Sequence, residues 1–145
     1  MNHMRILILN GPNLGMLGQR EPELYGTETL ADLESRLRKK FPKVQFTFFQ
    51  SNHEGVLVDE LNKAASGAID GVVLNPGAYA HSSYAIRDAV AALKIPVVEV
   101  HITNVHAREE FRRRSLIAPV CRGVVTGLGR RGYDLAIQFL IDETV

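Results

Sequence analysis

A glutamate and a histidine two residues apart, Glu99 and His101 in the segment PVVEVH, are the first candidates for chemistry in this sequence. In a β-strand, residues i and i+2 point to the same side. The Glu99 carboxylate can therefore hydrogen-bond one imidazole nitrogen and fix the tautomer, which leaves the other nitrogen to exchange a proton with a substrate. The alternative is a solvated histidine at a half-buried strand end, and the spacing alone does not decide between the two.

A second candidate pair, Arg20 and Tyr25, lies in the long segment GPNLGMLGQREPELYG at residues 11–26. A tyrosine hydroxyl is a weak base, and a nearby guanidinium favours its phenolate form. On a loop that closes over a substrate, such a pair could remove a proton while water is excluded. The alternative is a solvated Arg20 with Tyr25 packed on the base of the loop, and the usual exposure of these residue types favours it.

Two further groups could bind an anionic substrate. The segment NPGAYAHSS places Asn75 at a strand end before a helix start, where Asn75 and His81 could hold a carboxylate or hydroxyl. Helix capping by the serines of this segment is an equal alternative. Arg108 and the run at residues 112–114 could reach the same substrate, although such a run of charges is usually a solvated face.

Several other chemistries are not supported by the motifs present. GLGRRG, at residues 127–132, matches the dinucleotide pattern, but the further strand and acidic residue that such a site needs do not follow it, so a tight turn is preferred. No lysine is predicted at the C-terminal end of a strand, which disfavours an imine mechanism. The histidines form no metal-ligand pattern. The remaining set suits proton transfer without metal or cofactor, such as isomerisation or dehydration beside a carbonyl.

The composition predicts one domain, residues 1–145, with 46% hydrophobic and 23% charged residues. The net charge of +1 gives no indication of a nucleic-acid or membrane partner. The single cysteine, Cys121, excludes an intrachain disulfide and is typical of a reducing compartment. The apolar run near the N-terminus is too short for a signal peptide or a membrane span. These features predict a cytoplasmic protein.

Apolar runs alternate with amphipathic stretches and predict five strand–helix units. The predicted strands are residues 5–10, 44–49, 69–75, 96–101 and 120–127. The predicted helices are residues 30–40, 54–66, 82–94 and 132–143, and residues 104–115 are predicted to form a loop with a short helix. Right-handed crossovers then imply an α/β fold, a flavodoxin-like doubly wound parallel sheet of order 2-1-3-4-5. Ligands bind at the C-terminal strand ends of such sheets, so we expect Asn13, Asn75 and His101 to be neighbours, with an active-site lid at about residues 14–26.

Five segments of the chain resemble type II 3-dehydroquinate dehydratases: LILNGPNLGMLGQREPELYG, FFQSNHEG, LNPGAYAHSSYAIRDA, VEVHITNVHAREEFRRRS and GLGRRGY. They span nearly the whole chain in the order of that family. The resemblance implies anti elimination of water from 3-dehydroquinate to 3-dehydroshikimate through an enolate, without metal or cofactor, in the shikimate pathway to chorismate and the aromatic amino acids. It also implies a flavodoxin-like fold and a homododecamer built from trimers.

The resemblance also implies roles for particular residues. Tyr25 matches the base that removes the proton beside the ketone, and Arg20 matches the arginine that sustains its phenolate. Asn13 matches the residue that helps to stabilise the enolate through an ordered water. His101, held by Glu99, matches the acid that protonates the departing hydroxyl.

Other positions match the family's substrate-binding groups, which are Asn75, His81, Arg112 and the backbone of Ile102 and Thr103. Asp88 matches a residue that reaches the active site of a neighbouring subunit.

Two alternative functions stay open. One is a flavodoxin-like module that binds a small anion without catalysis, which gives no reason for the base and acid candidates. The other is an isomerase or dehydratase acting on a different cyclic polyol acid.

Overall fold

Five strands form a parallel sheet whose order is β2-β1-β3-β4-β5, as predicted. The computed structural model describes residues 3–143. The strands are β1 Met4–Asn10, β2 Val44–Gln50, β3 Gly71–Asn75, β4 Val97–His101 and β5 Gly123–Thr126. The chain steps from β1 outward to the edge strand β2 and then returns to β3 on the other side of β1. The direction of winding therefore reverses between β1 and β3, which is the switch point where such sheets bind ligands.

Helices cover both faces of this sheet. They are α1 Pro22–Tyr25, α2 Leu30–Lys40, α3 Glu54–Ala64, α4 Tyr84–Ala91 and α5 Arg131–Glu143. The buried faces of α2 and α5 share one apolar core, and those of α3 and α4 share the other. β1 supplies Ile6 and Ile8 to the first core and Leu7 and Leu9 to the second, which explains why this strand is a continuous apolar run.

The structure moves some predicted boundaries. The predicted fifth strand began at residue 120, whereas β5 begins at Gly123 because Ala118–Val120 forms a 3-10 turn around Pro119, which has no N–H to donate. The predicted helix 82–94 is shorter: α4 begins after Ser83, whose side chain accepts from the Ile86 N–H at 2.9 Å. No helix within residues 3–143 has the length and hydropathy to cross a bilayer.

A capping box begins α2. The Thr29 hydroxyl accepts from the Asp32 N–H, and the Asp32 carboxylate accepts from the Thr29 N–H, both at 3.1 Å. This cap fixes where the long segment 11–26 rejoins regular structure. At the other end, Leu14 and Leu17 are buried in the core, so the segment is pinned at its base.

Candidate active site

A cleft opens at the C-terminal ends of β1, β3 and β4, beside the switch point. All the predicted site residues except Glu99 and Asp88 line it: Asn13, Arg20, Tyr25, Asn75, His81, His101, Ile102, Thr103 and Arg112. The sequence therefore predicted both the rim of the sheet and most of the side chains that meet there.

The last residue of β4 brings a paired imidazole into the cleft. His101 Nε2 lies 2.5 Å from Glu99 Oε2, and both side chains are almost fully buried. Their spacing of two residues on a strand places them on the same side, as predicted. Because Glu99 engages Nε2, the Nδ1 nitrogen is the one left to exchange a proton with a ligand, and it has no protein partner among residues 3–143.

Ser115 orients the carboxylate from behind. Its hydroxyl oxygen accepts from the backbone N–H groups of Ile117 and Ala118, at 3.2 and 3.0 Å. The hydroxyl proton is therefore directed to Glu99 Oε1, 2.9 Å away. Both carboxylate oxygens of a fully buried glutamate thus have partners. Ser115 ends one of the segments that resemble the family, but its contact with Glu99 was not predicted from the sequence.

Asn75, the last residue of β3, presents an amide to the cleft and is held on two sides. Its Oδ1 accepts from the Gly77 N–H at 3.1 Å, and its Nδ2 donates to the Tyr133 hydroxyl at 2.9 Å. The turn that follows lies against the turn after β1. A side chain at Gly11 would meet the Pro76 carbonyl oxygen at 2.6 Å, so this close approach requires glycine.

Tyr25, the last residue of α1, contributes a hydroxyl to the cleft. Arg108 Nη1 donates to this hydroxyl at 2.7 Å and to Thr103 Oγ1 at 3.2 Å. The guanidinium carbon of Arg20 lies 5.4 Å from the centre of the Tyr25 ring, and its Nε pairs with Glu21 at 3.6 Å. The arginine that directly contacts the hydroxyl is therefore Arg108, which the sequence analysis considered only as a substrate ligand.

A third arginine holds the backbone of the same tyrosine. Arg130 donates to the Tyr25 carbonyl oxygen from Nη2 at 2.6 Å and from Nε at 3.1 Å. Its remaining nitrogen pairs with Glu28 at 3.2 Å. Arg130 belongs to GLGRRG, for which a tight turn was preferred to a dinucleotide site. Its contacts give that turn a role, because it anchors the C-terminal end of α1.

Two cleft residues could bind an acidic or hydroxylated ligand. His81 Nδ1 lies 2.8 Å from the Arg114 carbonyl oxygen, which can only accept, so Nδ1 carries a proton and a neutral His81 keeps Nε2 as an acceptor. The His81 ring is stacked at 6.2 Å from that of His101. Arg112 pairs with Glu109 at 3.2 Å, and its side chain is 17% exposed.

Backbone groups complete the cleft. Asn13 has a left-handed backbone, with φ of 67°, and its N–H donates to Asn52 Oδ1 at 3.0 Å. Its side chain, which lies at the mouth of the cleft, is exposed. Ile102 and Thr103 directly follow the end of β4, and their N–H groups have no partner among residues 3–143. These two donors suit a carboxylate.

The described residues offer little for other kinds of chemistry. No lysine lines the cleft, and residues 3–143 contain no cluster of three or more histidine, cysteine, aspartate or glutamate residues that could hold a metal ion. Burial, with a smaller contribution from the charge of Glu99, raises the pKa of the Cys121 thiol to about 12. Such a thiol is not a nucleophile near neutral pH. The tyrosine and histidines that line the cleft, Tyr25, His81 and His101, are side chains that can donate or accept a proton.

Comparison with known proteins decides the family. The model of class II dehydroquinases matches residues 4–141. The 3-dehydroquinate dehydratase of Bacillus licheniformis is 63% identical over 139 residues, which cover 94% of this chain and 95% of that protein. The 3-dehydroquinate dehydratase of Bacillus pumilus is 58% identical over 139 residues, which cover 94% of this chain and 94% of that protein. This chain belongs to the class II dehydroquinase family.

A solved structure supports the fold of this class II dehydroquinase. The crystal structure of the type II dehydroquinase from Butyrivibrio crossotus has a TM-score of 0.93 at 46% identity, covering 96% of this chain and 98% of that one. The resemblance and the fold predicted from the sequence are thereby confirmed. Within a single chain of this dehydroquinase, Asp88 lies on the exposed side of α4 and does not line the cleft.

Proposed function

We propose that this chain is a cofactor-independent hydro-lyase that removes water from 3-dehydroquinate to form 3-dehydroshikimate, in the shikimate pathway. Membership of the class II dehydroquinase family and the names of its relatives support the substrate. The observation that carries the chemistry is that an acid pair and a base pair meet at one cleft, which both His101 and Tyr25 line. His101 with Glu99 is the acid pair, and Tyr25 with Arg108 is the base pair.

The base pair begins the reaction. Tyr25, as phenolate, takes the proton from the carbon beside the ketone, and the electron pair of that bond moves onto the ketone oxygen as an enolate. The hydrogen bond from Arg108 stabilises the phenolate, and the nearby guanidinium of Arg20 adds positive charge at the ring. Asn13, at the mouth of the cleft, helps to stabilise the enolate oxygen through a water molecule.

The acid pair completes the reaction. The enolate electrons form the new carbon–carbon double bond and expel the hydroxyl on the next carbon. His101 gives its proton to that hydroxyl, which leaves as water. The buried charge of Glu99 stabilises the imidazolium before the transfer. The product is a conjugated enone, and the tyrosine returns its proton to solvent while the histidine is reprotonated, so the enzyme is restored.

The remaining cleft residues bind the parts of the substrate that do not react. We assign the carboxylate to the N–H groups of Ile102 and Thr103, and the ring hydroxyls to Asn75, His81 and Arg112. A base and an acid that lie in different environments, one at a half-buried loop and one at a buried strand end, suit an elimination that needs both at the same pH.

The formation of the enone from added 3-dehydroquinate, followed by ultraviolet absorbance, tests the function. We expect turnover by the wild-type protein, and a loss of about 10²- to 10⁴-fold in kcat for Tyr25→Phe and for His101→Ala, the usual contribution of a general acid or base. The Thr47→Val variant, which removes an exposed hydroxyl on β2 and does not touch the cleft, is the matched control. Binding of dehydroquinate without enone formation by the wild type would favour the non-catalytic anion-binding module.

We also propose that the enzyme acts in the cytoplasm as a homododecamer built from trimers, in which Asp88 reaches the active site of a neighbouring subunit. The exposure of Asp88 on α4, outside the cleft of its own chain, supports this role. The single cysteine supports a reducing compartment. Analytical ultracentrifugation measures the oligomer directly. A wild-type protein that sediments as an active monomer would contradict the assignment of Asp88.

A further inference from the structure

A buried tyrosine hydroxyl lies behind the wall of the cleft and takes no part in the proposed reaction. Tyr133, in the first turn of α5, has no exposed surface. Its hydroxyl lies 2.5 Å from Asn10 Oδ1 and 2.9 Å from Asn75 Nδ2. Asn10 and Asn75 are the last residues of β1 and β3 and are direct partners in the sheet. One phenol therefore joins the two strand ends at the switch point.

The direction of these hydrogen bonds follows from a backbone group. The Gly77 N–H can only donate, and it lies 3.1 Å from Asn75 Oδ1. The NH₂ group of Asn75 must therefore face Tyr133, whose hydroxyl accepts there and passes its own proton to Asn10. One N–H of Asn75 is left over. Because Asn75 lines the cleft, this N–H is the group that it offers to a ligand.

We propose that Tyr133 is a positioning residue for substrate binding, because its hydroxyl holds the Asn75 amide in the orientation that presents an N–H donor to a substrate oxygen. This inference rests on the proposed function and deepens it. It defines Asn75 as a donor, so the substrate group beside it is an acceptor, either a hydroxyl or a carboxylate oxygen.

The hydrogen bonds of the Tyr133 hydroxyl with Asn75 and Asn10 do not depend on pH in the neutral range. Burial raises the pKa of Tyr133 well above its usual value, and the hydrogen bond from Asn75 offsets only part of this effect. The hydroxyl therefore stays protonated and remains a donor to Asn10. The positive charge of Arg130 also lowers the pKa of Tyr133, as the hydrogen bond from Asn75 does, and burial outweighs both.

The Tyr133→Phe variant removes only the hydroxyl. We expect KM for dehydroquinate to rise roughly 10-fold while kcat changes less than about threefold, because a misplaced Asn75 weakens binding of the ground state and transition state alike. Ile137→Val is the matched control. Ile137 is fully buried one turn further along α5, and losing a buried methyl group perturbs the same core without touching Asn75. We expect its KM to equal that of the wild type.

Combination with Asn75→Ala separates positioning from a general effect. If Tyr133 acts through Asn75, the Tyr133→Phe change should have no further effect on KM once Asn75 is alanine. If the two changes multiply, with KM in the double variant rising by the product of the single effects, the proposal is overturned.

A second double variant deals with loss of stability. Tyr133→Phe leaves the buried Asn10 oxygen without a donor, which destabilises the fold. Adding Asn10→Leu removes that unpaired group with a side chain of similar shape. We expect the thermal midpoint to recover while KM stays raised. Recovery of KM together with stability would show that Tyr133 is merely structural.

A crystal structure of Tyr133→Phe distinguishes failure of this inference from failure of the proposed function. We expect the Asn75 amide to turn away from its wild-type position, and the Ile137→Val structure to leave it in place. If the wild-type protein forms no enone, the proposed function fails, but this structural comparison still decides about Tyr133. An unmoved Asn75 amide in Tyr133→Phe would refute the positioning role.

Discussion

The two sides of the cleft are built in different ways. The strand side, which carries Asn75, Glu99 and His101, consists of residues on β3 and β4 that are buried almost completely. The loop side carries Arg20 and Tyr25 on the segment 11–26, where the Arg20 side chain is 42% exposed and Tyr25 is half-buried. The proposed acid is therefore fixed by the sheet, whereas the proposed base is fixed by contacts from other parts of the chain.

This difference shows where preorganisation comes from. On the strand side, local spacing is enough to bring Glu99 to His101, because they are two residues apart. On the loop side, Arg108 holds the Tyr25 hydroxyl and Arg130 holds the Tyr25 carbonyl, and these residues are 83 and 105 positions away. Beyond the buried Leu14 and Leu17, the segment therefore depends on such distant partners to keep Tyr25 in a fixed geometry.

Removing the charge on the strand side should have the largest effect. In Glu99→Gln the side chain keeps its shape but no longer stabilises an imidazolium. A hydrogen bond to a charged group contributes about 1.5–3 kcal/mol, so kcat should fall roughly 10- to 100-fold with little change in KM. Ser115→Ala, which removes only the hydrogen bond behind Glu99, should lower kcat less. If kcat of Glu99→Gln stayed within about twofold of the wild type, the acid pair would be wrongly assigned.

The loop side can be tested by comparing its two arginines. Arg108 donates directly to the Tyr25 hydroxyl, whereas Arg20 lies over the ring and pairs with Glu21. We expect Arg108→Ala to lower kcat about 10- to 30-fold and to move the acidic limb of the pH–rate profile to higher pH. Arg20→Ala should move the limb in the same direction by a smaller amount.

The lysine variants at these two positions are controls, since they retain a positive charge. An acidic limb that shifts further in Arg20→Ala than in Arg108→Ala would show that Arg20 sustains the phenolate. That outcome would support Arg20 as the partner of the phenolate, which is the role that the family resemblance implies. It would contradict the assignment of that role to Arg108, which rests on the hydrogen bond to the Tyr25 hydroxyl.

The anchoring of the loop backbone should have a smaller effect on rate. Arg130→Lys keeps the charge but cannot reproduce two hydrogen bonds to the Tyr25 carbonyl. We expect kcat to fall about 3- to 10-fold. Arg131→Lys, at the exposed neighbouring position, is the control and should behave as the wild type. Equal rates for both variants would show that Tyr25 needs no anchor at its carbonyl.

The ion pairs behind the loop should affect stability and not rate. Asp134 accepts from Arg36 and from Lys40, both at 2.7 Å. Burial by itself would raise the pKa of Asp134, but the hydrogen bonds from these two cations outweigh it, and the pKa is lowered. The stabilisation is therefore fully present above the unfolded carboxyl value of about 3.9 and is lost as the pH falls through the lower folded value.

Asp134→Asn should consequently unfold at a lower temperature at pH 7, by the equivalent of about 1–2 kcal/mol, with the difference shrinking below about pH 3. Thermal unfolding at the two pH values measures this directly. Asp59→Asn, at an exposed position, is the control. If Asp134→Asn lost the same thermal stability at both pH values, the charge of the Asp134 carboxylate would contribute nothing to the stability of the fold.

The fold could be predicted because its signals are local. The apolar run of β1 and the alternation of apolar runs with amphipathic stretches are each read over a few residues, and together with right-handed crossovers they imply the strand order. The boundaries of β5 and α4 were less accurate, since turns around Pro119 and Ser83 compete with the regular elements there.

The candidate site, like the fold, could be predicted from the sequence only in part. Local patterns were enough to predict which polar residues meet at the strand ends, because the C-terminal ends of parallel strands share one edge of the sheet. They also placed Glu99 and His101 on the same side of one strand. The contacts of Arg108 with the Tyr25 hydroxyl and of Tyr133 with Asn75, 58 positions away, were visible only in the folded chain. These contacts depend on how helices and loops pack over the sheet, and no local spacing specifies such packing.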